Sequence, residues 1–267
     1  NTEAAIEDFS FTFKGENYLK NKKVNAELIT KINTNSLSFI FEENNLKINK
    51  LPIDFVGKLD FLSNGYDLDF KIESLDSPLA DFFTALPPAY VTWLDKTQVE
   101  GQTDLIFTLK GKYIASTQTN PDIGFQMKIR EGEINHNKAP VAASNIFFNF
   151  ETRLPELNPD KLEVNIDSLF FNVGSDYAKA IIKTKGLKQP NVKAVIRSKM
   201  DLAKMNRALG ITAFQVRGTL LSDIVAQGTY DASRNQIPAI KAKLKLTKGY
   251  LKTSHYPNPI TNIQVEN

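Results

Sequence analysis

The chain has 267 residues, of which 42% are hydrophobic and 24% are charged, which is typical of globular proteins that bury a core. It contains no cysteine, so disulfides, thiolate zinc sites, iron–sulfur clusters and cysteine nucleophiles are excluded. The net charge of +3 is small, and we expect the surplus to be spread along the chain, which disfavours a nucleic-acid-binding role.

Most of the chain alternates apolar and polar residues, which predicts strands with one buried face. The first run follows a basic cluster, Lys20, Lys22 and Lys23, which is interpreted as a solvated turn. Because clean alternation favours antiparallel sheet with one face toward water, we predict a mainly β fold of antiparallel curved sheets with short helices, elongated and either groove-like or sandwich-like. In chain order, the alternating runs lie at residues 37–41, 51–61, 66–72, 105–109, 123–129, 146–150 and 240–246.

One amphipathic helix interrupts the strands near 78–86. Its apolar residues follow the spacing i, i+3, i+4 and i+7 from Leu79, which places them on one side of a helix. Ser77 is predicted to cap the helix and Pro78 to occupy its first position. A further short helix is predicted to carry Tyr90, Trp93 and Leu94.

The second half of the chain repeats the first at a fixed offset of 117 residues. The helix recurs near 201–209 at an offset of 123. We therefore predict two related units, 46–155 and 156–267, preceded by N-terminal strands at 1–45 that end an earlier unit. The residues that match at the offset of 117 include Val99 and Val216, Gly101 and Gly218, Gly111 and Gly228, Tyr113 and Tyr230, Pro121 and Pro238, Gly132 and Gly249, Pro140 and Pro257, Asn145 and Asn262, and Ile146 and Ile263.

The repeated string, from Pro121 through Gly132 to Asn145–Ile146, resembles the AsmA family of bacterial envelope proteins. The helix "LADFFTALP" and the following "VEGQTDLIFTLKGKY" share this resemblance, which extends from about Leu37 onward. It implies a periplasmic β-groove that is thought to carry phospholipid for outer-membrane biogenesis, in a parent protein anchored in the inner membrane. The chain has no signal peptide and no apolar run of about 18 residues, so we expect it to be a piece of a longer protein without the anchor.

The predicted apolar face is too large to stay exposed, because each large side chain moved out of water contributes about 1.5–3 kcal/mol. A second sheet, the helices or lipid acyl chains could cover it. A closed sandwich core is the simpler interpretation of any single residue, whereas an unclosed sheet would leave a trough for acyl chains. The residues predicted to line this trough are Leu105, Phe107, Leu109, Ile123, Phe125, Met127, Ile129, Ile240, Leu244 and Leu246.

The sequence contains no known catalytic motif. The nucleophile elbow, the P-loop, the metalloprotease helix and the dinucleotide fingerprint are all missing. His136 and His255 are predicted to be exposed strand-end residues, because no metal-ligand cluster surrounds them. Asp67 and Asp69 share a strand face that is interpreted as solvated. We therefore expect a non-enzymatic protein without cofactor or metal. The alternative is a structural module that binds other envelope proteins through its edge strands.

Overall fold

The computed structural model describes residues 1–13, 16–87, 92, 94–137, 139, 141–211, 213–253 and 258–266. Within these residues the chain is mainly β, with fifteen strands in one antiparallel sheet and two short α-helices, which confirms the predicted fold class. The strands are β1 (Thr2–Phe13), β2 (Glu16–Leu28), β3 (Thr30–Asn33), β4 (Ser38–Ile48), β5 (Leu51–Leu62), β6 (Gly65–Pro78), β7 (Thr97–Tyr113), β8 (Asp122–His136), β9 (Ala143–Leu154), β10 (Glu163–Val173), β11 (Asp176–Lys185), β12 (Asn191–Asp201), β13 (Phe214–Thr229), β14 (Ala239–Thr253) and β15 (Ile260–Glu266).

The strands hydrogen-bond in sequence order, with one exception. The order is β1-β2-β4-β5 and onward to β15, while the short strand β3 pairs with β4 beside this path. Among the described residues no pairing joins β1 to β15, so the sheet is not closed. Neighbours in sequence are therefore neighbours in space, which is the meander that the repeated turn signals predict.

The first helix, α1 (Leu79–Ala85), lies where the sequence predicts it, but its start differs in detail. Pro78 is the N-cap residue, and no side chain caps the helix. The predicted Ser77 cap is wrong, because the Ser77 hydroxyl lies 2.8 Å from the Ser74 hydroxyl and bonds to it instead. Of the residues assigned to a further helix, Tyr90 and Trp93 lie outside the described residues, and Leu94 is helical.

The second helix, α2 (Leu202–Ala208), has a polar cap. The Asp201 carboxylate accepts hydrogen bonds from the backbone N–H of Ala203 at 2.9 Å and of Lys204 at 3.1 Å. The Asp176 carboxylate in turn accepts from the backbone N–H of Asp201 at 3.0 Å. The cap satisfies two of the free N–H groups at the helix start and fixes where the helix leaves β12.

Backbone geometry explains why glycines match at the offset of 117 residues. Gly101 and Gly218 have φ values of 112° and 116°, in the region that favours glycine. A Cβ atom on Gly101 would lie 2.7 Å from the Cα of Gly132, and one on Gly218 would lie 3.0 Å from the Cα of Gly249. The register shifts beside Gly218, so this glycine lies at a β-bulge where two backbones approach closely.

The chain divides into two units. Unit 1 comprises Asn1–Leu94, Gln102–Lys128 and Glu151–Glu163. Unit 2 comprises Asp95–Gly101, Ile129–Phe150 and Val164–Asn267. The predicted repeat boundaries at residues 46, 155 and 156 come from the sequence repeat. The division of the structure into two units does not test them, so they stay a prediction.

Candidate functional site: the apolar faces

The register of unit 1 places its large apolar side chains on one side of the sheet. Residues directly opposite one another in an antiparallel pair share a face. Ile72 of β6 lies opposite Phe55 of β5 and also opposite Phe107 of β7. We call the resulting surface the apolar face of unit 1. In strands β4 to β7 it consists of Phe39, Phe41, Leu46, Ile53, Phe55, Leu59, Phe61, Tyr66, Leu68, Phe70, Ile72, Leu105, Phe107 and Leu109.

Strand β8 adds three of the predicted trough residues to this face. A Cβ atom on Gly124 would lie 2.5 Å from the Thr108 hydroxyl, so Gly124 and Thr108 share a face. Thr108 lies opposite Lys71 in the register, on the polar side of the sheet. Because side chains alternate along a strand, the residues on either side of Gly124 point the other way. These apolar residues are Ile123, Phe125 and Met127.

Aromatic rings form a ladder across the strands of unit 1. Ring centroids lie 5.2 Å apart for Phe41 and Phe55, and 5.5 Å apart for Phe55 and Phe70. A second row joins Phe61 to Tyr66 at 5.3 Å. These distances are in the range of favourable aromatic pairs. We call these rings the aromatic ladder; its members are Phe39, Phe41, Phe55, Phe61, Tyr66 and Phe70.

A glycine makes room for this ladder. Gly57 lies opposite Phe70 in the register. A Cβ atom on Gly57 would lie only 2.2 Å from the Cδ1 atom of the Phe70 ring, so the ring packs directly over the glycine backbone. A glycine therefore interrupts the apolar alternation at position 57 because an aromatic side chain lies directly over that position.

The ladder is packed laterally but is not covered. Phe55, Phe70 and Phe107 are half-buried, and Phe61 and Tyr66 are exposed. Among the described residues of unit 1, only Leu51 and Leu79 are buried members of the apolar core. The rings shield one another along the sheet, and each keeps part of its surface exposed among the described residues.

The opposite side of unit 1 is polar and carries ion pairs. Lys71 pairs with Glu73 at 2.6 Å, and Lys110 pairs with Asp69 at 2.9 Å. Asp69 thus belongs to a solvated, charge-paired surface. A further pair joins Lys58 and Asp60 on the same strand at 2.6 Å. Its hydrogen bond lowers the pKa of Asp60 and raises the pKa of Lys58.

Lys22 holds the end of helix α1, which is a role that the sequence does not reveal. Its ammonium group donates to the carbonyl oxygens of Thr84 at 2.8 Å and of Leu86 at 2.7 Å. The Asn49 amide donates to the Thr84 carbonyl at 2.7 Å. Lys22 is only 3% exposed, and burial lowers its pKa. Its interpretation as part of a solvated turn is wrong, because it lies within β2 and is buried.

The apolar face of unit 2 is built from smaller side chains. In one row of the register, Ala180 of β11 lies opposite Ile196 of β12, which lies opposite Ile224 of β13. In the next row the hydroxyls of Ser198 and Ser222 bond to each other at 2.9 Å. In strands β11 to β14 this face consists of Ala178, Ala180, Ile182, Val192, Ala194, Ile196, Ser198, Met200, Leu220, Ser222, Ile224, Ala226, Ile240, Ala242, Leu244 and Leu246.

Helix α2 covers part of this face. Beneath it lies a buried cluster, in which Met200 is 2% exposed. The helix contributes Ala208 to the cluster, and Leu202 and Met205 pack against it. The other buried members are Ala143, Ile146 and Val173. Unit 2 therefore has a conventional core under its helix.

The ten predicted trough residues divide between the two units. Unit 1 contains six, which lie together on its apolar face. In unit 2, Ile129 packs against the buried cluster, whereas Ile240 is 59% exposed. Leu244 and Leu246 are half-buried on the unit 2 face. A role of these residues in lipid binding stays a prediction.

Other predicted polar sites carry little chemistry. His136 ends β8 as expected but is buried, so the prediction that it is exposed is wrong. His255 and the repeat prolines Pro140 and Pro257 lie outside the described residues. In the described part of the chain, no three or more acidic, histidine or cysteine side chains come together as a metal site.

Two further observations concern the chain as a whole. None of the helices in the described residues has the length and apolar character that crossing a membrane requires. No known protein family, no curated protein sequence and no solved structure matches the chain.

Proposed function

We propose that this chain is a non-enzymatic cell-envelope protein of AsmA type that shelters or carries phospholipid acyl chains on its apolar β-surface. The observation that carries the proposal is the aromatic ladder of unit 1, whose large apolar side chains are half-buried or, in Phe61 and Tyr66, exposed. Exposed apolar patches of this kind are binding surfaces in soluble proteins. In this proposal the chain acts in the periplasm, in a membrane-anchored parent protein that supports outer-membrane biogenesis.

The dimensions of the face suit an acyl chain. Neighbouring strands lie about 4.8 Å apart, so the five strands from β4 to β8 span about 19 Å. An extended acyl chain of common length is similar, and it could lie across the strands over the aromatic rings. Each methylene group that leaves water there contributes about 0.8 kcal/mol, which supplies a sufficient driving force.

The chemistry of the face also supports a carrier rather than an enzyme. The side chains of the aromatic ladder and of Leu105, Phe107 and Leu109 offer neither a nucleophile nor an acid–base pair. The charged groups of strands β5 to β7 that form ion pairs, such as Lys110 and Asp69, lie on the opposite side of the sheet. A surface of this composition binds apolar ligands without reacting with them.

A second candidate function is a scaffold that receives partner strands. Strand β1 extends over 12 residues and pairs only with β2 in the described sheet, and β15 pairs only with β14. Such edges can take up a strand from another protein. This function needs no lipid on the apolar face.

Lipid extraction from vesicles distinguishes the two functions. The purified protein is incubated with phospholipid vesicles, separated from them, and extracted for mass spectrometry. We expect bound phospholipid with the wild type and with Gln126→Asp, which alters the polar side of β8. Phe125→Asp should lower bound lipid at least tenfold, because it puts a carboxylate among the acyl chains. Circular dichroism checks that both variants keep their strands.

Two outcomes contradict the carrier function. The first is that the wild type extracts no phospholipid, and the second is that Phe125→Asp and Gln126→Asp extract as much as the wild type. Capture of an envelope protein through β1 or β15, together with the first outcome, would support the scaffold.

A further inference from the structure

Charge is strongly segregated along the chain. Residues 164–267 contain 16 Lys and Arg against 6 Asp and Glu, a net charge of +10. Residues 1–163 contain 17 Lys and Arg against 24 Asp and Glu, a net charge of −7. The expectation that the small surplus is spread along the chain is therefore wrong. Two large and opposite charges nearly cancel, and the positive one belongs to unit 2.

The register of unit 2 brings these cations onto one side of the sheet, opposite its apolar face. Lys183 of β11 lies opposite Lys193 of β12. Lys199 of β12 lies opposite Leu221 of β13, which lies opposite Lys245 of β14. We call this surface the basic face of unit 2. It consists of Tyr177, Lys179, Ile181, Lys183, Lys193, Val195, Arg197, Lys199, Leu221, Asp223, Val225, Lys241, Lys243 and Lys245.

Acidic side chains neutralise only part of this charge. Three ion pairs are present: Lys183 with Asp167 at 3.0 Å, Arg197 with Asp223 at 3.1 Å, and Lys245 with Glu266 at 2.9 Å. The hydrogen bond from Lys183 lowers the pKa of Asp167. The remaining lysines of the basic face are exposed and form no ion pair within the described residues. These are Lys179, Lys193, Lys199, Lys241 and Lys243.

Exposed aliphatic side chains lie between the cations. Ile181 is 47% exposed, Leu221 is 41% exposed and Val225 is 40% exposed. Ile181, Val195 and Val225 follow one another across three strands, and Lys241 ends this row. The basic face is therefore an array of lysines with an aliphatic stripe. Lysines attract anionic headgroups, and aliphatic side chains enter the boundary between headgroups and acyl chains.

We propose that the basic face of unit 2 docks on the surface of an anionic lipid bilayer. A nucleic acid would also be attracted by the charge, but unpaired bases stack on exposed aromatic side chains; the exposed apolar residues here are aliphatic, and the aromatic Tyr177 opposite Lys199 is half-buried. The proposal does not rest on lipid carriage, because it concerns unit 2, whereas lipid carriage is proposed for the apolar face of unit 1. Within unit 2 the membrane contact would lie on the side of the sheet opposite to the apolar face of that unit.

Vesicle flotation tests this proposal with the full chain. The wild type is mixed with vesicles of phosphatidylcholine alone or of phosphatidylcholine with about 30% phosphatidylglycerol. In the second kind about one lipid in three is charged, which makes the vesicle surface anionic. We expect flotation with the anionic vesicles only, and weaker flotation in high salt because salt screens exposed charges. Each lysine near an anionic surface strengthens binding about fivefold.

The decisive comparison is between two quadruple variants with the same change in net charge. One converts Lys179, Lys193, Lys241 and Lys243 to Gln, on the basic face. The control converts Lys47, Lys50, Lys112 and Lys128 to Gln; these are exposed lysines of unit 1. The basic-face variant should bind anionic vesicles at least 100-fold more weakly, whereas the control should bind within a few fold of the wild type. Thermal unfolding followed by circular dichroism checks that both are folded.

Several outcomes overturn the proposal. They are equal losses in the two quadruple variants, equal flotation with neutral vesicles, and tighter binding of duplex DNA than of anionic vesicles. Loss of flotation in Phe125→Asp with full flotation of the basic-face variant would also overturn it, since the apolar face would then be the membrane contact. Lipid extraction is measured separately, so failure of docking and failure of carriage are distinguishable.

Discussion

The two units use the same alternating strands to make different surfaces. In unit 1 the apolar face bears large aromatic rings, and among its described residues the buried hydrophobic side chains are those of Leu51 and Leu79. In unit 2 the corresponding face bears alanines, serines and medium-sized aliphatic residues, with a buried cluster around Met200. The difference shows that alternation determines which side is apolar, whereas side-chain size and helix contacts determine whether that side becomes core.

The helices of the two units also differ in whether they complete a buried core. Helix α2 is capped by Asp201 and packs Ala208 into a buried cluster. Helix α1 has no side-chain cap at its start and is held at its end by the ammonium group of Lys22. In unit 2 the helix completes a core, whereas in unit 1 polar contacts hold the helix and the aromatic ladder stays uncovered. The following variants measure that contrast.

The largest effect on stability is expected for Met200→Ala, which creates a cavity in the buried cluster of unit 2. Such a substitution costs about 2–4 kcal/mol in the free energy of unfolding. Leu109→Ala, on the half-buried face of unit 1, should cost only about 1 kcal/mol in delipidated protein, because much of the side chain already contacts water. Urea unfolding followed by circular dichroism measures both. Equal losses would mean that the face of unit 1 is packed as a core.

A smaller loss is expected for Lys22→Met, which removes both hydrogen bonds to the end of α1. The Thr84 carbonyl keeps the Asn49 amide as a donor, whereas the Leu86 carbonyl loses its donor, which costs about 1–3 kcal/mol. The control is Lys23→Met, because Lys23 is exposed and forms only a surface ion pair with Glu7 at 2.9 Å; its loss should cost less than about 1 kcal/mol. If the two variants are equally stable, Lys22 does not hold the helix.

The pH dependence of stability gives a second measure of Lys22. Burial lowers its pKa in the folded protein below the ordinary value of 10.5. Between these two pKa values the unfolded state binds more protons, so the contribution of Lys22 to stability rises with pH in that window. This contribution should disappear in Lys22→Met when the unfolding free energy is measured as the pH rises toward that ordinary value. An unchanged profile would contradict the burial of its charge.

The smallest of the stability effects is expected for Asp201→Ala, which removes the cap of α2. Loss of an N-cap costs about 1 kcal/mol. Asp201→Asn keeps an oxygen that accepts from the Ala203 N–H and should restore most of this loss. Thermal unfolding of the three proteins separates the outcomes, and a loss in Asp201→Asn as large as in Asp201→Ala would show that charge rather than capping matters.

Alternation and repeat spacing predict much of the fold. The strands that begin at Thr97 and Phe214 differ by the repeat offset, as do those that begin at Asp122 and Ala239. Positive-φ glycines such as Gly218 match because the backbone geometry at each bulge requires them. Local sequence therefore specifies strand limits, bulges and the apolar side, because each depends on neighbouring residues.

Contacts between distant residues account for what the sequence does not predict. Lys22 resembles its exposed neighbour Lys23 in sequence, and only the approach of α1, more than 60 residues later, buries it. His136 is buried for a similar reason of tertiary packing. The net charge of +3 does not indicate the basic face, because it is the sum of opposite charges in the two parts of the chain. Side-chain alternation combined with local charge would have revealed the basic face.

Photocrosslinking tests the central claim, that the uncovered aromatic side of unit 1 is where lipid binds. A benzophenone amino acid is placed at position 107, on the apolar face, or at position 108, where Thr108 lies on the polar side opposite Lys71. After incubation with phospholipid vesicles and irradiation, mass spectrometry should find lipid adducts with the probe at 107 and none with the probe at 108. No adduct at 107, or equal adducts at both positions, would contradict the claim.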